Sequence, residues 1–146
     1  MNPNDVLKLT DQAIETWNQH DVNKFLTFCE DNIVVNELGV AEPHKGTYGA
    51  RDFVNNWISA FPDFKIKRLN TVASEDSIAY ELEFTGTNTG PLKMGDAPGI
   101  PATKIKVTSK GSCFGKVKNG KFTEINAYPD LAGMLMQLDV LNEIHA

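Results

Sequence analysis

Apolar residues recur at helical spacing along the first third of the chain and at every second position along most of the rest. Val6, Leu9, Ala13 and Trp17 fall on one face of a helix over residues 3–19, with Leu7 and Ile14 widening the stripe. Val22, Phe25, Leu26 and Cys29 repeat the spacing in a second, short helix, and Asp21 or His20 stands near its start, where an acceptor suits free amides. N-I-V-V-N-E-L at 32–38 reads as a short strand, and G-V-A-E-P-H-K-G as a turn. A third helix follows, with Phe53, Val54, Trp57, Ile58 and Phe61 on its buried face and Pro62 at its end.

The period then becomes two. Phe64, Ile66 and Leu69–Ala73 predict a strand, and S-E-D-S predicts a turn. Ile78, Tyr80, Leu82 and Phe84 alternate with Ala79, Glu81, Glu83 and Thr85. Ile105, Val107, Ser109, Gly111 and Cys113 alternate in the same way. K-N-G-K at 118–121 is a hairpin signal, because Asn-Gly accepts the positive φ angles of a type I′ turn, and it leads into a last strand over 121–128. Leu131, Met134, Leu135, Leu138 and Leu141 return to helical spacing in a tail helix. Helices followed by an antiparallel meander, with one early strand among the helices, give an α+β fold rather than a doubly wound sheet. A twisted sheet wrapped around one helical layer leaves a cone-shaped apolar cavity.

Composition narrows the class. A chain of 146 residues fits a single domain, taken as 1–146, and 41% hydrophobic with 23% charged residues describes a folded globular protein. Its net charge of −5 and thinly spread basic residues oppose binding to nucleic acid or an acidic membrane. There is no run of about 18 apolar residues and no basic-then-apolar start, so a cytoplasmic protein is expected. Cys29 and Cys113 lie on unrelated elements without a CxxC pattern and read as two buried thiols in a reducing compartment. Residues 86–101, rich in Gly and Pro, break the regular pattern, yet Leu92, Met94 and Ile100 give this loop the apolar content of a lid or a dimer contact.

Several stretches resemble the SnoaL-like polyketide cyclases of the nuclear-transport-factor-2-like (NTF2-like) superfamily. They are F-P-D-F at 61–64, F-T-G-T-N-T-G-P-L at 84–92, G-I-P-A-T at 99–103 and N-G-K-F-T-E at 119–124 continuing to D-L-A-G-M-L-M-Q-L at 130–138, with W-N-Q-H-D near the N-terminus. The resemblance implies a small NTF2-like (cystatin-like) α+β barrel, a curved antiparallel sheet around N-terminal helices, assembled as a homodimer. It also implies cofactor-free, metal-free acid/base chemistry on a small apolar or aromatic carbonyl ligand: an intramolecular aldol cyclisation or a related isomerisation.

Glu124, Asp130, Gly133, Gln137 and Leu138 fall on the family's last motif, which puts Asp130 at the position of the acid/base. The chain departs from the pattern at Asn126, where relatives carry Trp, at Asp139, where they carry Gly, and in P-A-T-K at 101–104. The first departure alters the pocket's shape and polarity, so the substrate need not be a large aromatic polyketide.

The candidate site residues follow. Asp130 has two readings, since Asp is also a preferred N-cap and an apolar helix follows it. As an acid/base it would use the desolvation offered by Tyr128, Pro129, Leu131 and Met134 to bring its pKa near working pH. His44, before the third helix, is placed to assist proton transfer or to bond a carbonyl, or else is simply an exposed surface residue. N-E-L-G-V-A-E-P-H-K-G also resembles the region that carries the base in ketosteroid isomerases, which makes Glu37 the alternative base, beside Asn36. No Tyr precedes Tyr48, so the first helix lacks an isomerase's oxyanion tyrosine. Trp17, Trp57, Phe61, Tyr80, Phe84, Phe114, Asn126, Tyr128 and Met134 are candidate pocket residues, and the same aromatics read equally as core. Lys116 is either a ligand contact or solvated, and the three scattered histidines make no metal site. A non-catalytic binding domain using the same pocket is the competing function.

Overall fold

The computed structural model describes residues 1–93 and 99–140. The first helix, α1 (Pro3–Asn18), begins at a capping box in which Asn2 and Asp5 satisfy each other's backbone amides, with Pro3 where its missing N–H costs nothing. The second, α2 (Val22–Leu26), is capped by Asp21 through the Lys24 amide. It ends earlier than the helical spacing predicts. Cys29 instead opens strand β1 (Cys29–Glu37), its thiol donating to the Phe25 carbonyl. A two-residue strand, β2 (His44–Lys45), precedes α3 (Gly46–Ala60). The meander is β3 (Lys65–Ala73), β4 (Ser77–Thr87), β5 (Lys106–Lys118) and β6 (Lys121–Pro129). A short helix, α4 (Leu131–Gln137), closes the described chain.

Six strands form one sheet in the order β2-β1-β6-β5-β4-β3. All neighbours are antiparallel except β1 and β6, which run parallel and are joined by a long connection of one helix and four strands. Asn119 and Gly120 turn β5 into β6 with φ of +54° and +76°, as the Asn-Gly signal requires. The sheet wraps α1 and α3, and the interior has two apolar clusters. One joins α1, α2, α3 and β1 around Val6, Phe25, Ile33, Val35 and Phe53. The other joins the end of α3 to α4 around Phe61, Phe64, Phe84, Met134 and Leu138. Trp17 and Trp57 pack against both.

The F-P-D-F and F-T-G-T-N-T-G stretches lock onto each other. Phe61 and Phe64 sit edge-to-face against Phe84 at 5.0 and 5.8 Å. Both Asp63 oxygens accept from Thr87, at 2.7 Å from its amide and 2.8 Å from its hydroxyl. Asn88, fully buried, uses its whole hydrogen-bonding capacity: Nδ2 donates to the Ala60 and Gly90 carbonyls, and Oδ1 accepts from the amide and hydroxyl of Thr103. A Cβ at Gly90 would collide with the Ser59 carbonyl oxygen. The irregular segment is thus pinned at its base, and Leu92 pairs with Ile100 and is buried. Met94 of the expected lid lies outside the described residues, as do Leu141 of the tail helix and His145.

Asp139 adopts φ +58°, a left-handed conformation that Gly takes more readily than other residues, at the position where the family resemblance leads one to expect Gly. His20 is half-buried with its Nε2 against the Phe64 carbonyl at 3.1 Å. Among the described residues, no helix is long and apolar enough to cross a membrane.

Replacing Asn88 by Ala orphans buried backbone groups at about 1–3 kcal/mol each. Asn88→Ala is therefore expected to lower Tm by about 3 °C for each kcal/mol lost, and a Tm within about 1 °C of wild type would contradict the pinning role. Gly90→Ala is expected to destabilise comparably in the same melting experiment, through steric conflict rather than lost hydrogen bonds.

Candidate active site

A cavity of about 120 Å³ runs between the helices and the concave face of the sheet. Its origin is the contrast between facing strands. On β4 the inward residues are Ile78, Tyr80, Leu82 and Phe84, whereas their partners on β5 are Gly115, Cys113, Gly111 and Ser109. Four small residues opposite four large ones leave space that α1 and α3 do not fill. Thr10, Ala13, Ile14 and Trp17 from α1, Phe53 and Trp57 from α3, Ile125 and Ala127 from β6, and Met134 from α4 complete the wall. The wall is overwhelmingly apolar, and its volume is of the order of a cavity that accepts one benzene-sized ring, about 150 Å³.

The strongest polar feature stands next to this cavity: Glu37 and His44 do not line it themselves, but Trp57, Ala127 and Phe53, which bond, pair or pack with them, do. Glu37 ends β1, in register with Ala127 on the inward face of β6. Its side chain is only 10% exposed. Trp57 Nε1 donates to Glu37 Oε2 at 2.7 Å, and His44 Nε2 lies 3.4 Å from Oε1. The His44 ring in turn packs against Phe53, 5.7 Å between centroids. Burial pushes the Glu37 carboxyl above the usual carboxylate range, opposed by the bonds from Trp57 and His44 and by the His44 charge. Such a group stays protonated to higher pH than a solvated glutamate and exchanges its proton more easily near neutrality.

Asp130 is placed differently from the dry position expected of it. It is exposed and serves as the N-cap of α4, with Oδ1 accepting from the Gly133 amide at 2.9 Å. Its neighbours Tyr128, Pro129 and Met134 do line the cavity, so it stands beside the opening rather than inside. The desolvation expected from them is missing because the carboxylate points along the helix start toward solvent.

Among the remaining candidates, Trp17, Trp57, Tyr80, Phe84, Tyr128 and Met134 line the cavity, with Tyr128 48% exposed at its rim. Four expectations need correction. Phe61 is fully buried in the second cluster and does not reach the cavity. Phe114 lies on the other side of the sheet, because Cys113 and Gly115 take the inward positions that flank it. Asn36 and Asn126 face outward too: Asn36 Nδ2 donates to Asn126 Oδ1 at 2.9 Å, and Asn126 Nδ2 donates to Glu124 Oε2 at 2.8 Å. Lys116 is exposed, 4.0 Å from Glu124. Gly111, Gly115 and Ala127 are the cavity-makers that no sequence motif singled out, although Gly111 stands in plain alternation between the outward Lys110 and Ser112.

Neither thiol is a ready nucleophile, since burial pushes Cys29 up to about 12 and Cys113 to about 11. Among the described residues, no three His, Cys, Asp or Glu side chains cluster as metal ligands.

The fold recurs in solved structures. TsrD from Streptomyces laurentii is 22% identical, with a TM-score of 0.80 over 97% of this chain and 99% of that one. A candidate polyketide cyclase from Xanthomonas campestris pv. campestris is 16% identical, with a TM-score of 0.81 over 94% and 99%. SalBIII, an epoxide hydrolase/cyclase-like enzyme of pyran ring formation in the polyether salinomycin, is 16% identical, with a TM-score of 0.68 over 86% and 90%. At these identities the likeness concerns the fold. No curated protein matches the chain in sequence. Residues 8–138, nearly the whole described chain, match the SnoaL-like polyketide cyclases as a family, and the protein belongs to it.

Proposed function

We propose that the protein is a proton-transfer enzyme of the cyclase or isomerase type, acting on a compact apolar carbonyl compound, with Glu37 as its acid/base. The observation that carries this reading is the Glu37 carboxyl itself: shielded from water, held by Trp57 and raised in pKa at the edge of an apolar cavity. In the ionised form it takes a proton from the carbon next to the carbonyl. The resulting enolate either attacks a second carbonyl in the same molecule, closing a ring, or is reprotonated further along a conjugated system. Glu37 returns the proton to the new hydroxyl or to the new carbon, so no proton is gained or lost overall. Trp57 fixes one oxygen so that the other faces its reaction partner, and His44 offsets the charge that appears when Glu37 ionises. A positioned acid/base of this kind contributes about 10²- to 10⁴-fold in rate.

Asp130 supports a second reading, because the motif that places it is the family's and three of its neighbours line the cavity. That role requires its carboxylate to leave the Gly133 amide.

Deuterium uptake by the α-carbons of phenylacetone in D₂O, followed by proton NMR, separates the readings without a known substrate. Glu37→Gln is expected to lose about 10²-fold or more of the catalysed exchange, with Asp130→Asn within about threefold of wild type. The reverse pattern assigns the chemistry to Asp130. Tight binding with no exchange above buffer identifies a binding domain instead.

The pH dependence carries a definite sign. A base must be ionised, so exchange is expected to rise with pH through a midpoint above the ordinary glutamate range. The raised pKa also costs folding stability as pH climbs: the favourable contribution is complete below the unfolded-state pKa and is lost as pH passes the folded-state value. The Tm of Glu37→Gln minus that of wild type is therefore expected to grow more positive from about pH 4 to pH 7, and a difference that shrinks over that range would contradict the buried-carboxyl account.

A further inference from the structure

The inward row of the sheet that contains Glu37 continues across three more strands. Glu37 is in register with Ala127, Ala127 with Cys113, and Cys113 with Tyr80. Directly paired residues project from the same face, so the row runs from a carboxyl on β1, past a methyl and a thiol, to a phenol on β4. Ala127, Cys113 and Tyr80 all line the cavity. At ~4.8 Å per strand the two ends are about 14 Å apart along the sheet, and less across its concave side.

Tyr80 is half-buried and faces this row and the cavity. Its hydroxyl lies against the Cys113 thiol, and burial raises its pKa well above the ordinary phenol value. It therefore stays a neutral donor throughout the physiological range. A buried tyrosine usually finds a strong acceptor for its hydroxyl. Here no nitrogen or oxygen of the described residues accepts from it, and a thiol sulfur is a weak substitute. Among the other lining donors, the Thr10 hydroxyl is spent on the Val6 carbonyl and the Trp57 indole on Glu37. Lys110, Ser112 and Tyr128 are exposed, and the Trp17 indole and the Ser109 hydroxyl, level with Phe84 and four residues along from Cys113, are the inner alternatives.

We propose that the Tyr80 hydroxyl holds a carbonyl oxygen of the ligand, at the end of the cavity remote from Glu37. This deepens the Glu37 reading and rests on it for its chemical sense. The substrate class becomes a one-ring or similarly compact ketone, conjugated so that an oxygen anchored at Tyr80 withdraws charge from the carbon that faces Glu37. The short Ala127 and Cys113 side chains between the two ends are what let one molecule span them.

Acetophenone and α-methylstyrene have nearly the same shape and differ in C=O against C=CH₂, so they isolate the oxygen. Binding to the intact chain is read from Trp fluorescence, since Trp17 and Trp57 line the cavity. Wild type is expected to prefer the ketone by about 3- to 10-fold, the equivalent of one hydrogen bond, and Tyr80→Phe to bind both alike. Infrared spectra of carbonyl-¹³C acetophenone give a readout that mere packing does not move: the bound C=O stretch is expected at lower frequency in wild type and unshifted in Tyr80→Phe.

The proposal is overturned if wild type binds the two probes alike or binds neither. It is also overturned if the preference survives in Tyr80→Phe, or if Ser109→Ala abolishes it while Tyr80→Phe does not. Should Tyr80→Phe fail to fold, an unshifted carbonyl band in wild type alone would overturn it. The readings fail separately. An idle Glu37 abolishes its share of deuterium exchange and leaves the ketone preference standing, whereas an idle Tyr80 removes the preference while exchange continues.

Discussion

A carboxyl group kept from water at the end of β1 is the tension around which this molecule is arranged. Taking an ionised carboxylate out of water is costly unless it is bonded, and Glu37 has few partners: the Trp57 indole at 2.7 Å and the more distant His44. The bond ties α3 to the sheet at the point where the two apolar clusters meet, because Trp57 packs against both. Moving α3 or straightening β1 would leave the carboxyl either solvated or alone. The fold therefore sets the acidity of Glu37 as directly as it sets its position.

The cavity beside it is a product of unequal side chains rather than of loose packing. Along β5 the inward positions are Ser109, Gly111, Cys113 and Gly115, while β4 supplies Ile78, Tyr80, Leu82 and Phe84. A Cβ at Gly115 would press on the Phe122 ring, and one at Gly111 would press on the backbone of Tyr128 and Pro129. β6 thus approaches closely where β5 is bare, and the sheet curls at that place. The aromatic lock of Phe61, Phe64 and Phe84, with Asp63 and Asn88 bonded behind it, keeps the neighbouring end closed. One end of the barrel is a core and the middle remains hollow.

Much of this was legible in the chain. Alternation at 78–84 and 105–113, the Asn-Gly turn and the amphipathic stripes of α1 and α3 specify the α+β order, because each depends on near neighbours only. Local rules misled where two signals coincided. Cys29 continues the helical spacing of Val22 and Phe25 yet starts a strand, and its thiol still bonds the Phe25 carbonyl across that boundary. Asp130 carries both a capping signal and a motif position, and the structure shows the cap.

What the sequence could not supply is register. Glu37, Ala127, Cys113 and Tyr80 are far apart along the chain, and they form a row only because β1 runs parallel to β6 with those pairings. The outward turn of Phe114, Asn36 and Asn126 follows from the same register. The most direct test of the account is the titration of the Glu37 side-chain carboxyl by ¹³C NMR, with the cavity empty and then filled with phenylacetone. The account requires a midpoint above the range of glutamates in unfolded peptides that moves when the cavity fills. A midpoint within that range, indifferent to the ligand, would contradict it.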